Sequence, residues 1–123
     1  MAQAGKAAGV ARSVASPRGV CVDSSGRIYI ADSGDGRIVR IDDMDGSNFV
    51  VYGSYGGGPG HFSAPEDVRV DAAGRVYALD GERCRIVRID DLSGRNWTTY
   101  GTYSWTESGQ YRTAGENSRN LPA

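Results

Sequence analysis

The chain repeats itself with a period of 48 residues. PRGVCVDSSGRIYIADSGDGRIVRIDDMDGSNFVVYG starts at Pro17, and PEDVRVDAAGRVYALDGERCRIVRIDDLSGRNWTTYG starts at Pro65. Set against each other without a gap, the two stretches agree at 19 of 37 positions, including Asp23 with Asp71, Tyr29 with Tyr77, Asp32 with Asp80 and the whole RIVRIDD run. Val14 stands three residues before Pro17 as Phe62 stands three before Pro65, so the register runs slightly upstream. A fixed period constrains the fold more than any single motif, because each copy must be one supersecondary unit that buries its apolar surface against its neighbours.

Each repeat reads as four strands. Val20 to Asp23 is a short β-branched run, SSG turns it, and Arg27 to Ala31 carries Ile and Tyr onward. DSGDG is the next turn, Arg37 to Asp42 the third strand, MDGS a tight turn and Asn48 to Tyr52 the fourth. The second copy predicts strands over 68–71, 75–79, 85–90 and 96–100. No window of about 11 residues carries apolar side chains at helical spacing, so the chain is expected to be all-β. Ile28 and Ile30 fall on one face of the second strand and Tyr29 and Ala31 on the other, which requires both faces to be covered. Further copies of the same sheet are the natural cover, as in a propeller or a solenoid array. Residues 1–16 read as a flexible N-terminal arm, 17–64 as one four-stranded unit with its connector, 65–101 as the second, and 102–123 as a tail or the start of a further connector.

The connector GSYGGGPGHFSAPEDVRVDAAGRVYALD resembles the NHL-repeat pattern, in which a Gly-rich link and an apolar residue precede Pro and strands ending in VD and in YxxD follow. GRIYIADSGDGRIVRIDDMDGSN is similar to the related YWTD blades. The resemblance runs from Pro17 to Tyr100 and implies a β-propeller with one blade per repeat, commonly six blades in the NHL group. Two blades stand here. The tail TYSWTESGQY begins like a second connector, with GQY where the first has GHF.

Charge and residue chemistry narrow the functions. Fourteen Lys plus Arg against fifteen Asp plus Glu give a net charge of −1, with no basic stripe to favour nucleic acid. No run approaches a membrane span of about 18 apolar residues, and residues 1–16 lack the charged start and apolar run of a secretory leader. Cys21 and Cys84 belong to no CxxC pair and read as free thiols, which favours a reducing compartment.

Asp32, Asp80, Asp42, Asp43, Asp90 and Asp91 recur between copies and read as turn carboxylates capping backbone N–H groups, with Arg40 and Arg88 in cross-strand charge pairing. Asp43 and Asp45 begin like a calcium loop but lack the acid at position twelve, where Ser54 stands. GSYGGGPG lacks the GKS or GKT of a phosphate loop. His61, the single histidine, reads as a solvated loop residue, and no nucleophile is expected to have a base beside it. Phe49 and Trp97 are equivalent and read as packing under the outer strand. No catalytic residue, metal or cofactor is expected.

Residues that differ between copies are free to serve a site. By analogy with propellers, the connectors and the loops between second and third strands share one rim, and there Arg18 is replaced by Glu66 and SGDG (33–36) by GERC (81–84). With His61, these give a candidate binding rim of Arg18, Asp35, His61, Glu66, Glu82 and Arg83, joined by Trp105 and Tyr111 of the aromatic tail. The expected function is a non-enzymatic module for protein–protein assembly. Its partner is expected to be itself, with a trimer of two-blade units favoured, or a larger protein complex. The resemblance leaves two alternatives: part of a propeller enzyme of lyase or lactonase type, or an RNA-binding NHL platform.

Overall fold

The computed structural model describes residues 13–101 and the backbone of two short strands beyond them, Tyr103–Trp105 and Tyr111–Thr113. Residues 1–12, most of the expected arm, and the side chains of Trp105 and Tyr111 lie outside the described residues. Two four-stranded antiparallel sheets make up the body. The first orders β1 (Pro17–Val22), β2 (Ile28–Asp32), β3 (Arg37–Ile41) and β4 (Val50–Tyr52) side by side. After a connector carrying β5 (Ser54–Tyr55) and β6 (His61–Phe62), the second orders β7 (Pro65–Val70), β8 (Val76–Asp80), β9 (Arg85–Ile89) and β10 (Thr98–Tyr100) in the same way.

The repeated sequence words are hydrogen-bonded units. In DSSGRIY, Asp23 Oδ1 accepts from the N–H of Ser25 and of Arg27, both at 2.9 Å, while Oδ2 accepts from Arg27 Nε at 2.9 Å and the Tyr29 hydroxyl at 3.1 Å. Asp71 repeats this set with Ala73, Arg75 and Tyr77. One aspartate thereby closes the hairpin and locks the arginine and tyrosine of the next strand, which explains why the three residues recur together. In the second hairpin, Asn48 and Asn96 donate to Asp42 and Asp90 at 2.6 and 2.7 Å.

Those asparagines correct the expected start of the outer strands. Both have positive φ, 53° and 58°, a left-handed conformation that Asn tolerates and a strand excludes, so pairing begins two residues later than the apolar pattern predicts. The inner strands differ in the other direction. Pairing begins at Pro17 and Pro65 through an irregularity before Gly19 and Asp67, with proline as the first strand residue, where its missing N–H removes nothing from the ladder. The DSGDG and DGERC turns are short 3-10 turns, Ser33–Asp35 and Gly81–Arg83. The connector also has more order than a Gly-rich link suggests: β5 and β6 pair in parallel, bringing Ser54 opposite His61.

The two sheets pack face to face, with β1 and β2 against β7. Blade 1 contributes the face on which Tyr29 opposes Arg40 and Ala31 opposes Ile38 and then Tyr52. Blade 2 contributes Val68 beside Ala78 and Val87, and Val70 beside Val76 and Ile89. Apart from Arg40, these residues, closed by Phe62 and Leu92, form one core. Phe62 is its keystone: fully buried, it stands edge-on to Tyr52 of blade 1 at 6.1 Å between centroids and 5.6 Å from Trp97 of blade 2. Gly19 permits the close approach, because a Cβ there would collide with the Asp67 backbone.

Candidate functional site

The connectors and the loops between second and third strands do meet along one edge, and two buried aspartates hold them there. Asp32 accepts from the N–H of Ala15 at 3.0 Å and Ser16 at 3.1 Å, and Arg37 Nε binds its other oxygen at 2.8 Å. Asp80 accepts from Ser63 and Ala64 and pairs with Arg85 at 3.2 Å. Both carboxylates are fully buried. They were expected to cap local turns, but the groups they bind lie 16 or 17 residues upstream, so each fastens the incoming connector to its blade. Arg37 and Arg85 were not singled out from the sequence, although the recurring five-residue spacing from Asp to Arg carries the signal. Arg85 reaches furthest, donating to the carbonyls of Gly57 and His61 while its guanidinium lies 5.4 Å from the Trp97 ring centroid.

Arg83 and His61 help build the blade 2 end of this edge. Arg83 Nε donates to Ser63 Oγ at 2.8 Å and its guanidinium lies against Gly57. The Glu66 carboxylate rests on the Gly81 backbone, and Glu82 projects to solvent from the same 3-10 turn. Glu66, Glu82 and Arg83 therefore gather at one turn. Arg18 and Asp35 belong to the corresponding edge of blade 1, where Arg18 is exposed and Asp35 lies 3.5 Å from Arg37. Trp105 and Tyr111 pair in register across the two short strands of the tail, and nothing of their side chains is described.

His61 departs from the solvated loop residue expected. It is half-buried in β6, and its Nδ1 lies 3.0 Å from Ser54 Oγ, so one hydroxyl does have an imidazole beside it. The parallel register accounts for the contact, since it sets the two side chains on adjacent strands. Among the described residues no carboxylate accepts a hydrogen bond from the ring, so none of them supplies the third member that orients the base beside a catalytic serine. Cys21 is no better placed: burial is the largest influence on its thiol and raises its pKa, against the nearby Arg69 charge, which keeps it from the reactive thiolate form. Among the described residues, no three of His, Cys, Asp and Glu gather closely enough to hold a metal ion. None of the described helices is long and apolar enough to cross a membrane.

The outer face of each sheet carries apolar side chains that lie outside this core. On blade 2, Leu79, Ile86 and Tyr100 lie in one cross-strand row, and they line an apolar groove of about 350 Å³ with Gly81, Cys84 and Arg85. On blade 1, the row Val20, Ile30, Val39, Val51 faces the opposite way; Val39 is fully buried, whereas Val20 and Val22 are mostly exposed.

Residues 15–41, from the connector end through β3, match the NHL repeat. The chain carries an NHL repeat. The whole fold agrees: virginiamycin B lyase from Staphylococcus aureus superposes with a TM-score of 0.52 at 16% identity, over 80% of this chain. A catalytically inactive variant of that lyase with quinupristin gives 0.47, also at 16% identity and 80% coverage. No curated protein matches the sequence. The two sheets are thus β-propeller blades, the first containing the matched NHL repeat, and the chain covers 40% of the length of the first neighbour and 34% of the second.

Proposed function

We propose that this chain is a non-enzymatic propeller module that works by assembly, its blade faces joining other blades and its charged rim receiving a protein partner. The observation that carries the reading is the set of large apolar side chains exposed on the outer sheet faces, Val20 and Val22 on blade 1 and Leu79 and Ile86 on blade 2, outside the core formed between the two sheets. Contiguous exposed patches of more than a few hundred Å² are uncommon on lone soluble domains and mark interaction surfaces. The rim is suited to recognition rather than turnover: Arg18, Glu66 and Glu82 are exposed charges, whereas the buried ion pairs hold the connectors.

Likeness to a lyase at 16% identity bears on fold, and the described residues offer neither a metal cluster nor an activated nucleophile. The test is to incubate the purified protein with virginiamycin B, with and without added divalent cations, and follow the compound by liquid chromatography. The expected result is no consumption above a protein-free control. Consumption that scales with protein concentration refutes the non-enzymatic reading.

A further inference from the structure

Of the asparagines Asn48, Asn96, Asn117 and Asn120, only Asn96 has a hydroxyl residue two positions on. Asn96, Trp97 and Thr98 form the acceptor pattern for an N-linked sugar, a bulky group that a fold tolerates on a surface turn. The apolar pattern puts this triplet inside an outer strand. In the structure β10 begins only at Thr98, and Asn96 stands in the turn before it with a φ of 58°.

The turn separates the three side chains by what they touch. Trp97 packs against the core, 5.6 Å from Phe62 between ring centroids, whereas Asn96 and Thr98 on either side of it are exposed. Thr98 Oγ1 donates to the Asn96 carbonyl at 3.0 Å, so the hydroxyl is held beside the asparagine. Asn96 Nδ2 donates to Asp90 Oδ2 at 2.7 Å, which engages one of its two amide hydrogens. Asn48 supplies the contrast within the same chain. It is exposed, has a φ of 53° and donates to Asp42 at 2.6 Å, but Phe49 and Val50 follow it. The same turn is thus built twice and the acceptor pattern completed once.

We propose that Asn96 is the acceptor for an N-linked oligosaccharide, delivered from a polyisoprenyl diphosphate donor by a transferase in an oxidising lumen. The carboxamide nitrogen forms a bond to the anomeric carbon of the sugar, and the anomeric C–O bond breaks. The lipid diphosphate departs with the electron pair, and one amide proton passes to a base on the transferase. The product keeps one N–H, so the turn retains a donor for Asp90. Asn96 lies at the opposite end of β9 from the Gly81–Arg83 turn, so the glycan leaves Glu66, Glu82 and Arg83 clear. The free thiols are compatible with such a lumen: Cys21 and Cys84 are half-buried, and burial is the largest influence on Cys21, holding it in the inert thiol form. This modification is independent of the assembly reading above.

The experiment sends the full chain through the secretory route of cultured animal cells behind a cleavable leader. The secreted protein is expected to carry one glycan. Its release by a peptide N-glycosidase should leave an aspartate at position 96, read by peptide mass spectrometry. Thr98→Val keeps the shape of an exposed side chain and the Asn96 amide but removes the hydroxyl, and its glycan is expected to be lost, as in Asn96→Gln. Circular dichroism of each secreted form should show the same strand content, and the thermal midpoint should not fall when the glycan is present. An unmodified parent, in cells that glycosylate a control protein, overturns the proposal. So does a Thr98→Val variant modified as fully as the parent, or a glycosylated chain that has lost its strand content.

Discussion

Replacing Asp80 by alanine tests whether the connector is held as the structure implies. The carboxylate is fully buried and accepts from two backbone N–H groups, of Ser63 and Ala64, and from Arg85, whose side chain is only 10% exposed. Asp80→Ala removes every one of these acceptors at once. A buried donor left without a partner costs roughly 1–3 kcal/mol, and breaking a buried ion pair from one side costs about 3–5 kcal/mol because the remaining charge stays desolvated. These figures overlap rather than add, and a loss of about 4 kcal/mol is expected. With a urea slope of about 2 kcal/mol per molar, the midpoint falls by about 2 M. The assay is urea denaturation at one fixed protein concentration, followed by circular dichroism. Asp42→Ala serves as the comparison, since its bond to Asn48 is exposed and its loss is expected to cost under about 1 kcal/mol. If Asp80→Ala shifts the midpoint no more than Asp42→Ala does, the Asp80 cluster does not hold the connector and the argument fails.

Phe62→Ala empties the space between Tyr52 and Trp97 and is expected to cost about 3–5 kcal/mol by the same denaturation assay; a loss below about 1 kcal/mol would mean the junction closes without its keystone. Cys84 has φ of 55° where the first copy has Gly36, so Cys84→Gly is expected to stabilise by about 0.5–1 kcal/mol, visible as a raised thermal midpoint; a lowered midpoint refutes backbone strain there. Burial opposes ionisation of Asp23 and Asp71, but bonds from the N–H and guanidinium of Arg27 and Arg75 outweigh it, and both pKa values are lowered, as is that of Asp91. Groups depressed on folding stabilise fully above their unfolded pKa of about 4, and the contribution is lost as pH falls through the folded values, so stability should decline with acidification below about pH 4. A denaturation midpoint that stays flat from about pH 5 to pH 2 would contradict this.

The repeat made the blades legible because local chemistry and period agree. Asp23 with Arg27 and Tyr29, and Asp71 with Arg75 and Tyr77, satisfy themselves within seven residues, so the sequence word already contains the structure. Where satisfaction is distant, the sequence word no longer contains the structure. Asp32 and Asp80 stood out by recurrence, yet their backbone partners lie 16 or 17 residues away, and nothing local distinguishes a turn cap from a connector clamp. His61 differs from its expected place for a related reason: the β5–β6 bridge that brings it to Ser54 is only two residues per strand, too short for any alternation to announce.

The rim and the sheet faces differ in what sequence comparison within the chain can say about them. At the rim, Arg18 against Glu66 and Gly36 against Cys84 diverge, and divergence in exposed loops is silent about cause; the structure adds that Arg83 and Arg85 already brace the connector. On the faces, positions that stay apolar in both copies include some that are buried in one and open in the other, as Val68 and Val20 are. If drift alone governed the open copies, water contact would favour polar replacements at Val20, Leu79 and Ile86, since each exposed apolar side chain gains nothing from solvent. All three remain apolar in this chain, the pattern expected of surfaces that pack against something, and the assembly reading proposed above supplies that cover.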